Sequence, residues 1–251
     1  MENQITGKNK YRIKELYYRI LHTYAYGDIR LLLILLLVMI SILVFSAIAE
    51  LVAAGSLTGF DIFVLNLFRD GNNPQKAAGP PGLLNVMQDI TALGGATVAV
   101  LSTVIAAGFL ILEKKYRLLV FVILGTLGGG AIELSLKHFF GRQRPAVAYQ
   151  LISVNSLSFP SGHSTMAAII YLSIAVLLAR SQKNVLTRIY IVSIGFIITF
   201  LIGLSRIYLG VHYPSDVIAG WALGLAWASF LWLTSWYLDL KLKSGWNTDP
   251  E

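Results

Sequence analysis

Residues 189–238 read IYIVSIGFIITFLIGLSRIYLGVHYPSDVIAGWALGLAWASFLWLTSWYL. The run 189–209 and the run 217–238 are each apolar over the roughly 20 residues that carry a helix across the hydrocarbon core of a bilayer. The polar side chains gather where the runs meet: Ser205 and Arg206 near the end of the first, His212 and Asp216 just before the second. The stretch therefore reads as two membrane helices that turn around a small cluster of reactive groups.

Four further runs have the same character, at 31–53, 92–112, 118–137 and 162–179. The expected fold is an all-α bundle of six transmembrane helices. Composition agrees: 56% of the 251 residues are apolar and 13% charged, against about 25% charged in soluble domains. The absence of cysteine excludes disulfides, thiolate nucleophiles and cysteine-ligated metals. The net charge of +7 has no basic stripe interleaved with aromatics, so nucleic acid is not an expected partner. The first run follows thirty residues rich in basic and polar side chains and exceeds the length of a signal-peptide core, so it reads as a retained span. The expected division is a basic segment 1–30, a membrane domain 31–240 and a tail 241–251.

Basic residues set the orientation. In a six-span chain Lys8, Lys10, Arg12, Lys14, Arg19, Arg30, Lys114, Lys115, Arg117, Arg180, Lys183, Arg188, Lys241 and Lys243 fall on one side, fourteen of the 20 Lys and Arg. Arg69, Lys76, Lys137, Arg142, Arg144 and Arg206 fall on the other. The richer side is expected in the cytoplasm, with both termini, and a bacterial cytoplasmic membrane is the expected location. The poorer side then holds Lys137 at the end of the third span, Arg144 in the next loop, His163 at the start of the fourth, Arg206 at the end of the fifth, and His212 with Asp216 before the sixth. Hydropathy and charge thus bring three clusters, distant in sequence, to one outer face.

Those groups suit phosphoryl chemistry. A phosphate ester repels nucleophiles with its own anionic oxygens, so catalysis rests on positioning and charge stabilisation. Lys137, Arg144 and Arg206 supply fixed positive charge, and Ser161-Gly162 opens a helix whose N-terminal N–H groups favour anions. His212 and Asp216 are spaced i, i+4 with Pro214 between them, which brings carboxylate and imidazole together if proline opens the helix. The carboxylate then orients the ring and leaves one nitrogen free to attack. His163 is the candidate to protonate a leaving oxygen and later activate water, since the reference pKa of histidine suits both roles. His22 and His138 read as structural. Glu133, one turn before Lys137, reads as its ion-pair partner, with a functional role as the alternative. Gly125 with Gly129 and Gly220 with Gly224 read as close helix packing.

Three segments together, Lys137 with Arg144-Pro145, Pro160-Ser161-Gly162-His163, and Ser205-Arg206 with His212 and Asp216, resemble the signature of the type-2 phosphatidic acid phosphatase superfamily. The resemblance covers the last four spans well and the first 90 residues only in general layout. It implies His212 as nucleophile, Asp216 as its partner and His163 as general acid. It implies that Lys137, Arg144, Ser161, Gly162 and Arg206 bind phosphate, with no metal and no cofactor. The implied activity is hydrolysis of a lipid phosphate or diphosphate at the outer leaflet through a phosphohistidine. Phosphatidylglycerophosphate, phosphatidic acid and undecaprenyl diphosphate are the implied substrates, and the bilayer is the implied partner.

Two other functions compete, a lipid-phosphate transporter and a headgroup phosphotransferase using the same phosphohistidine. Transporters bind near the midplane, whereas Ile169, Ile170, Tyr171 and Leu172, or Phe196, Ile197 and Ile198, offer little polar lining there. The vanadium haloperoxidases share such an anion site but are soluble. In the long outer loop 54–91, Phe60, Phe63, Val64, Leu67 and Phe68 recur at helical spacing, with Asp61, Asn66, Arg69 and Asp70 opposite. This predicts a short amphipathic helix lying on the outer leaflet or packed over the bundle. Segments 72–74 and 79–82 read as irregular loop.

Overall fold

The computed structural model describes residue 29 and residues 31–245, except residue 72. Six of the basic residues expected on the cytoplasmic side (Lys8, Lys10, Arg12, Lys14, Arg19 and Arg30), His22, and residues 246–251 of the expected tail lie outside the described residues.

Helix α1 spans Leu31–Ala53 and opens the bundle. A short helix α2 (Thr58–Leu67), a two-stranded ribbon of β1 (Arg69–Asp70) and β2 (Asn73–Ala77), and helix α3 (Leu83–Ala92) then cross one end. Helices α4 (Ala96–Leu112), α5 (Tyr116–Phe140), α6 (Gly162–Arg180), α7 (Val185–Tyr208) and α8 (Pro214–Gly245) complete it. Five of these are long and apolar enough to cross a membrane, and six spans result when α3 and α4 count as one span bent by 41°. The chain is an all-α integral membrane protein. Its outward side chains are apolar, as lipid contact requires: Val100, Leu101, Val104 and Ile105 of α4 are all more than half exposed.

Four differences from the sequence reading have physical causes. The second span is broken, because Gly94 and Gly95 separate α3 from α4 and leave α4 with 17 residues. Residues 72–74 were expected to be irregular, yet Asn73 and Pro74 belong to β2, which pairs with β1. Residues 241–245, expected as tail, continue helix α8. Finally, α2 presents Phe60, Phe63 and Leu67 outward, while Asp61 and Leu65 on its other side are fully buried against the bundle. Of the expected polar set, Asp61 and Arg69 are turned inward and buried, while Asn66 and Asp70 stay exposed.

Both α5 and α6 contain a π-helical turn, at Leu124–Gly128 and Ala168–Leu172, and the two turns touch. A π turn disturbs the i→i−4 pattern and leaves carbonyls short of donors. The indole of Trp227 on α8 donates to two of them, Leu124 O and Gly125 O, both at 3.2 Å. Glycines bring α6 and α8 together: a Cβ on Gly220 would lie 2.6 Å from Ser161 O, and one on Gly224 2.5 Å from Thr165 O. This pair packs closely, as its spacing predicted. Gly129 likewise admits Ile169, whereas Gly125 makes only ordinary contacts.

Candidate active site

Helix α8 begins at Pro214, where its fixed φ suits a first helical residue and its missing N–H leaves no bond unmade. Asp216 falls in that first turn and is fully buried. Its Oδ2 accepts from Ser158 Oγ at 2.5 Å and from Tyr213 N at 2.9 Å, and lies 3.4 Å from Nδ1 of the buried His212. On the other edge of the ring, Arg144 Nη1 is 3.0 Å from His212 Nε2. A guanidinium only donates, so Nε2 accepts and the ring proton resides on Nδ1, toward Asp216. This network sets the tautomer and leaves the Nε2 lone pair pointing at a cation.

Three chain segments bring the cations together. Lys137 sits in the last turn of α5, which ends at Gly141 in the left-handed conformation that closes many helices. Its Nζ pairs with Glu133 at 2.9 Å and donates to Leu157 O at 3.0 Å, so the Glu133–Lys137 ion pair is present. Arg144 is fastened by Ser156 O at 2.6 Å and by Val211 O, which fixes its guanidinium against His212. Arg206, in the last turn of α7, donates to Thr91 Oγ1 of α3 at 2.9 Å, while its Nε is buried with no hydrogen-bond partner among the described residues. Neither Arg144 nor Arg206 has a carboxylate within ion-pair distance among the described residues. Burial first, then the charges of Arg144, Arg206 and Lys137, hold His212 well below the ordinary imidazole pKa. The ring is thus neutral in a positive environment, which suits a nucleophile that meets a phosphate anion.

The third segment enters α6. Ser161 is its N-cap, accepting from Ser164 N at 3.5 Å and from Ser164 Oγ at 3.0 Å, and Ser161 N donates to the Asp216 carbonyl at 3.0 Å. Gly162 is required by proximity: a Cβ there would stand 2.7 Å from Glu133 Oε1. His163 follows in the first turn and packs on the bend between α3 and α4, where a Cβ on Gly94 would lie 3.4 Å from its ring. All eight residues singled out from the sequence therefore lie at one end of the bundle, around a single end of α5, α6, α7 and α8. His138 stands apart, with Nδ1 against Leu134 O of its own helix.

Sequence reasoning missed a second layer. Arg142 donates from Nη1 to Asp216 Oδ1 at 2.6 Å and from Nη2 to Asp61 Oδ2 at 2.7 Å, and stacks over the Tyr213 ring at 4.3 Å. Burial lowers the Arg142 pKa, but the charges of Asp216 and Asp61 outweigh it and raise the net value. Ser158 and Thr91 were missed as well. The available signal was Arg142 itself, one of six basic residues on the side where basic residues are disfavoured and two positions before Arg144.

The chain is similar to several known proteins. A family model described as "PAP2 superfamily" matches residues 116–239. Phosphatidylglycerophosphatase B of Bacillus subtilis is 38% identical over 150 residues, 58% of this chain and 71% of the relative. Decaprenylphosphoryl-5-phosphoribose phosphatase of Mycobacterium tuberculosis is 31% identical over 147 residues, 57% and 76% of the two chains. A crystal structure of a transmembrane PAP2-type phosphatidylglycerolphosphate phosphatase from Bacillus subtilis superposes with a TM-score of 0.68 at 28% identity, covering 80% of this chain and 96% of that one. The fold and these relatives define a membrane phosphatase. The chain belongs to the PAP2 superfamily.

Proposed function

We propose that this protein hydrolyses a lipid phosphate or diphosphate at the outer leaflet through a phosphohistidine on His212. The observation that carries the reading is the setting of one ring: Asp216 at Nδ1, Arg144 at Nε2, and Arg206 beside it with a buried N–H to spare. Arg144, Arg206 and Lys137 hold the nonbridging phosphate oxygens, with backbone N–H groups at the Ser161-Gly162 helix start adding to them. Nε2 forms a bond to phosphorus as the bond to the leaving oxygen breaks, and His163 gives that oxygen its proton. Asp216 balances the positive charge that develops on the phosphorylated ring. His163, now neutral, takes a proton from water, whose oxygen attacks phosphorus and releases His212 and phosphate.

The lipid classes favoured are those of the relatives: a phosphatidylglycerophosphate or a polyprenyl phosphate ester. The outer-leaflet placement rests on the basic-residue bias, and both termini are cytoplasmic in this reading. Transport fits less well, because the charged groups cluster at one end of the bundle rather than midway.

The test is phosphate release by the purified protein from a panel of lipid phosphates and diphosphates, with an alkaline detergent quench to preserve the phosphoenzyme. Release from at least one lipid, with a base-stable, acid-labile phosphoenzyme absent from His212→Ala, is expected. No release from any member, or the same phosphoenzyme in His212→Ala, overturns the reading.

A further inference from the structure

Among the buried groups the mechanism above leaves without a task, one carboxylate is tied directly to the site. Asp61, on the short helix α2, is fully buried, and among the described residues the other buried carboxylate is Asp216. Its Oδ1 accepts from Ser215 N at 3.0 Å, and its Oδ2 accepts from Ser215 Oγ and Arg142 Nη2, both at 2.7 Å. Arg142 in turn holds Asp216 Oδ1 and Ser215 Oγ. A single guanidinium therefore bridges two carboxylates, one of them the partner of His212.

Resting on the proposed function, we infer that Asp61 is a positioning residue for the nucleophile, acting through Arg142 on the Asp216 carboxylate.

Two physical effects support this. The first is orientation. With Oδ1 taken by Arg142, the carboxylate is held so that Oδ2 serves Ser158, Tyr213 N and His212 Nδ1. Arg142 keeps that direction because Asp61 fixes its far nitrogen and Tyr213 lies under its plane. The second is charge. Arg142 alone would neutralise Asp216 and leave His212 facing Arg144, Arg206 and Lys137 with no net negative partner. Asp61 shares the guanidinium, so the three groups together keep one negative charge behind the ring. That charge is what a phosphorylated, positively charged imidazole needs, and it matters most where solvent screening is weakest. The competing view is that Asp61 merely clasps α2 to the bundle, and the two views differ in what they do to turnover.

The experiment uses the full-length protein in detergent with a lipid phosphate and with p-nitrophenyl phosphate. Asp61→Asn nearly preserves shape and removes the charge. It is expected to lower kcat by about tenfold or more, tenfold being about 1.4 kcal/mol of transition-state support, and to weaken inhibition by vanadate, a mimic of pentacoordinate phosphorus, in step, while KM stays unchanged. Asp61→Glu, which keeps the charge, is expected to recover part of the lost rate. Asn66→Ala loosens the same helix by removing its bond from Tyr149 Oη, and is expected to keep wild-type kcat. If the Asn variant is not recovered folded, Arg142→Lys carries the test, because it retains a charge for Asp216 but loses the fork that reaches Asp61. That variant should show the same fall in kcat. Wild-type kcat in Asp61→Asn, or an equal fall in Asn66→Ala, overturns the inference. A wild-type protein that hydrolyses no phosphate ester refutes the proposed function instead, so the two failures are distinct.

Discussion

Gly220 lies one turn beyond Asp216 on α8, and replacing it with alanine tests how closely the two halves of the site must approach. A Cβ at this position would stand 2.6 Å from the Ser161 carbonyl oxygen and 2.9 Å from Ser164 Cβ. The shorter separation falls about 0.8 Å below the 3.4 Å at which ordinary contact begins. The obstructing atom is backbone, and Ser161 N is bonded to the Asp216 carbonyl in the same turn, so no side-chain rotation absorbs the clash. The α6 entrance, carrying Ser161, Gly162 and His163, must therefore move away from Asp216 and His212. For stability, overpacking costs about 1–3 kcal/mol, while exchanging a helical glycine for alanine returns about 1 kcal/mol. The net change is small, so Gly220→Ala should fold with a melting temperature near or somewhat below wild type. Activity responds more steeply, since a misplacement of about 1 Å costs on the order of 100-fold. The expected fall in kcat is about 10- to 100-fold. Gly130→Ala is the control, because a Cβ there meets nothing within 4 Å. Phosphate release in detergent micelles, with thermal unfolding of the same samples, decides the matter. Wild-type kcat together with a raised melting temperature in Gly220→Ala would refute the reasoning.

Three further outcomes are expected. An acidic p-nitrophenyl leaving group should partly restore turnover in His163→Ala, which lacks the proton donor, but not in His212→Ala, and equal restoration of both would show the roles are misassigned. Activity should survive EDTA and be inhibited by vanadate, since side-chain cations supply the charge; loss in chelator with recovery on adding Mg²⁺ would count against the site. A cysteine at position 148 should react with an impermeant thiol reagent in intact cells and one at position 183 should not, and the reverse pattern would invert the proposed orientation.

The spans were legible because lipid imposes a one-dimensional rule: every residue in a run of about 20 must be tolerable to hydrocarbon. Lys137, Arg144, His163, Arg206, His212 and Asp216 were legible because chain direction alternates across a bundle, so polar groups at span ends must share a face. The break at Gly94-Gly95 was harder to see, since two glycines in an apolar run leave hydropathy almost unchanged. Asp61 was harder still. Helical periodicity placed it on the polar side of α2 and could not say whether that side met water or a buried arginine. Its partner Arg142 lies 81 residues away, and no local pattern links the two. What remained hidden was therefore the supporting shell, which depends on contacts between loops rather than on the order of the spans.

Arg69 shows how such loops are secured in a chain without cysteine. Its guanidinium gathers four backbone carbonyls, those of Phe68, Pro74, Tyr149 and Tyr208. The last two belong to segments 80 and 139 residues distant, so one side chain acts as a noncovalent crosslink across most of the membrane domain. A disulfide in that place would open and close with the oxidising power of the medium. A guanidinium keeps its proton far above neutral pH and has no redox chemistry. Oxidants and reductants in the surrounding medium therefore leave this tie intact, and with it the anchorage of the helix end that presents Arg206.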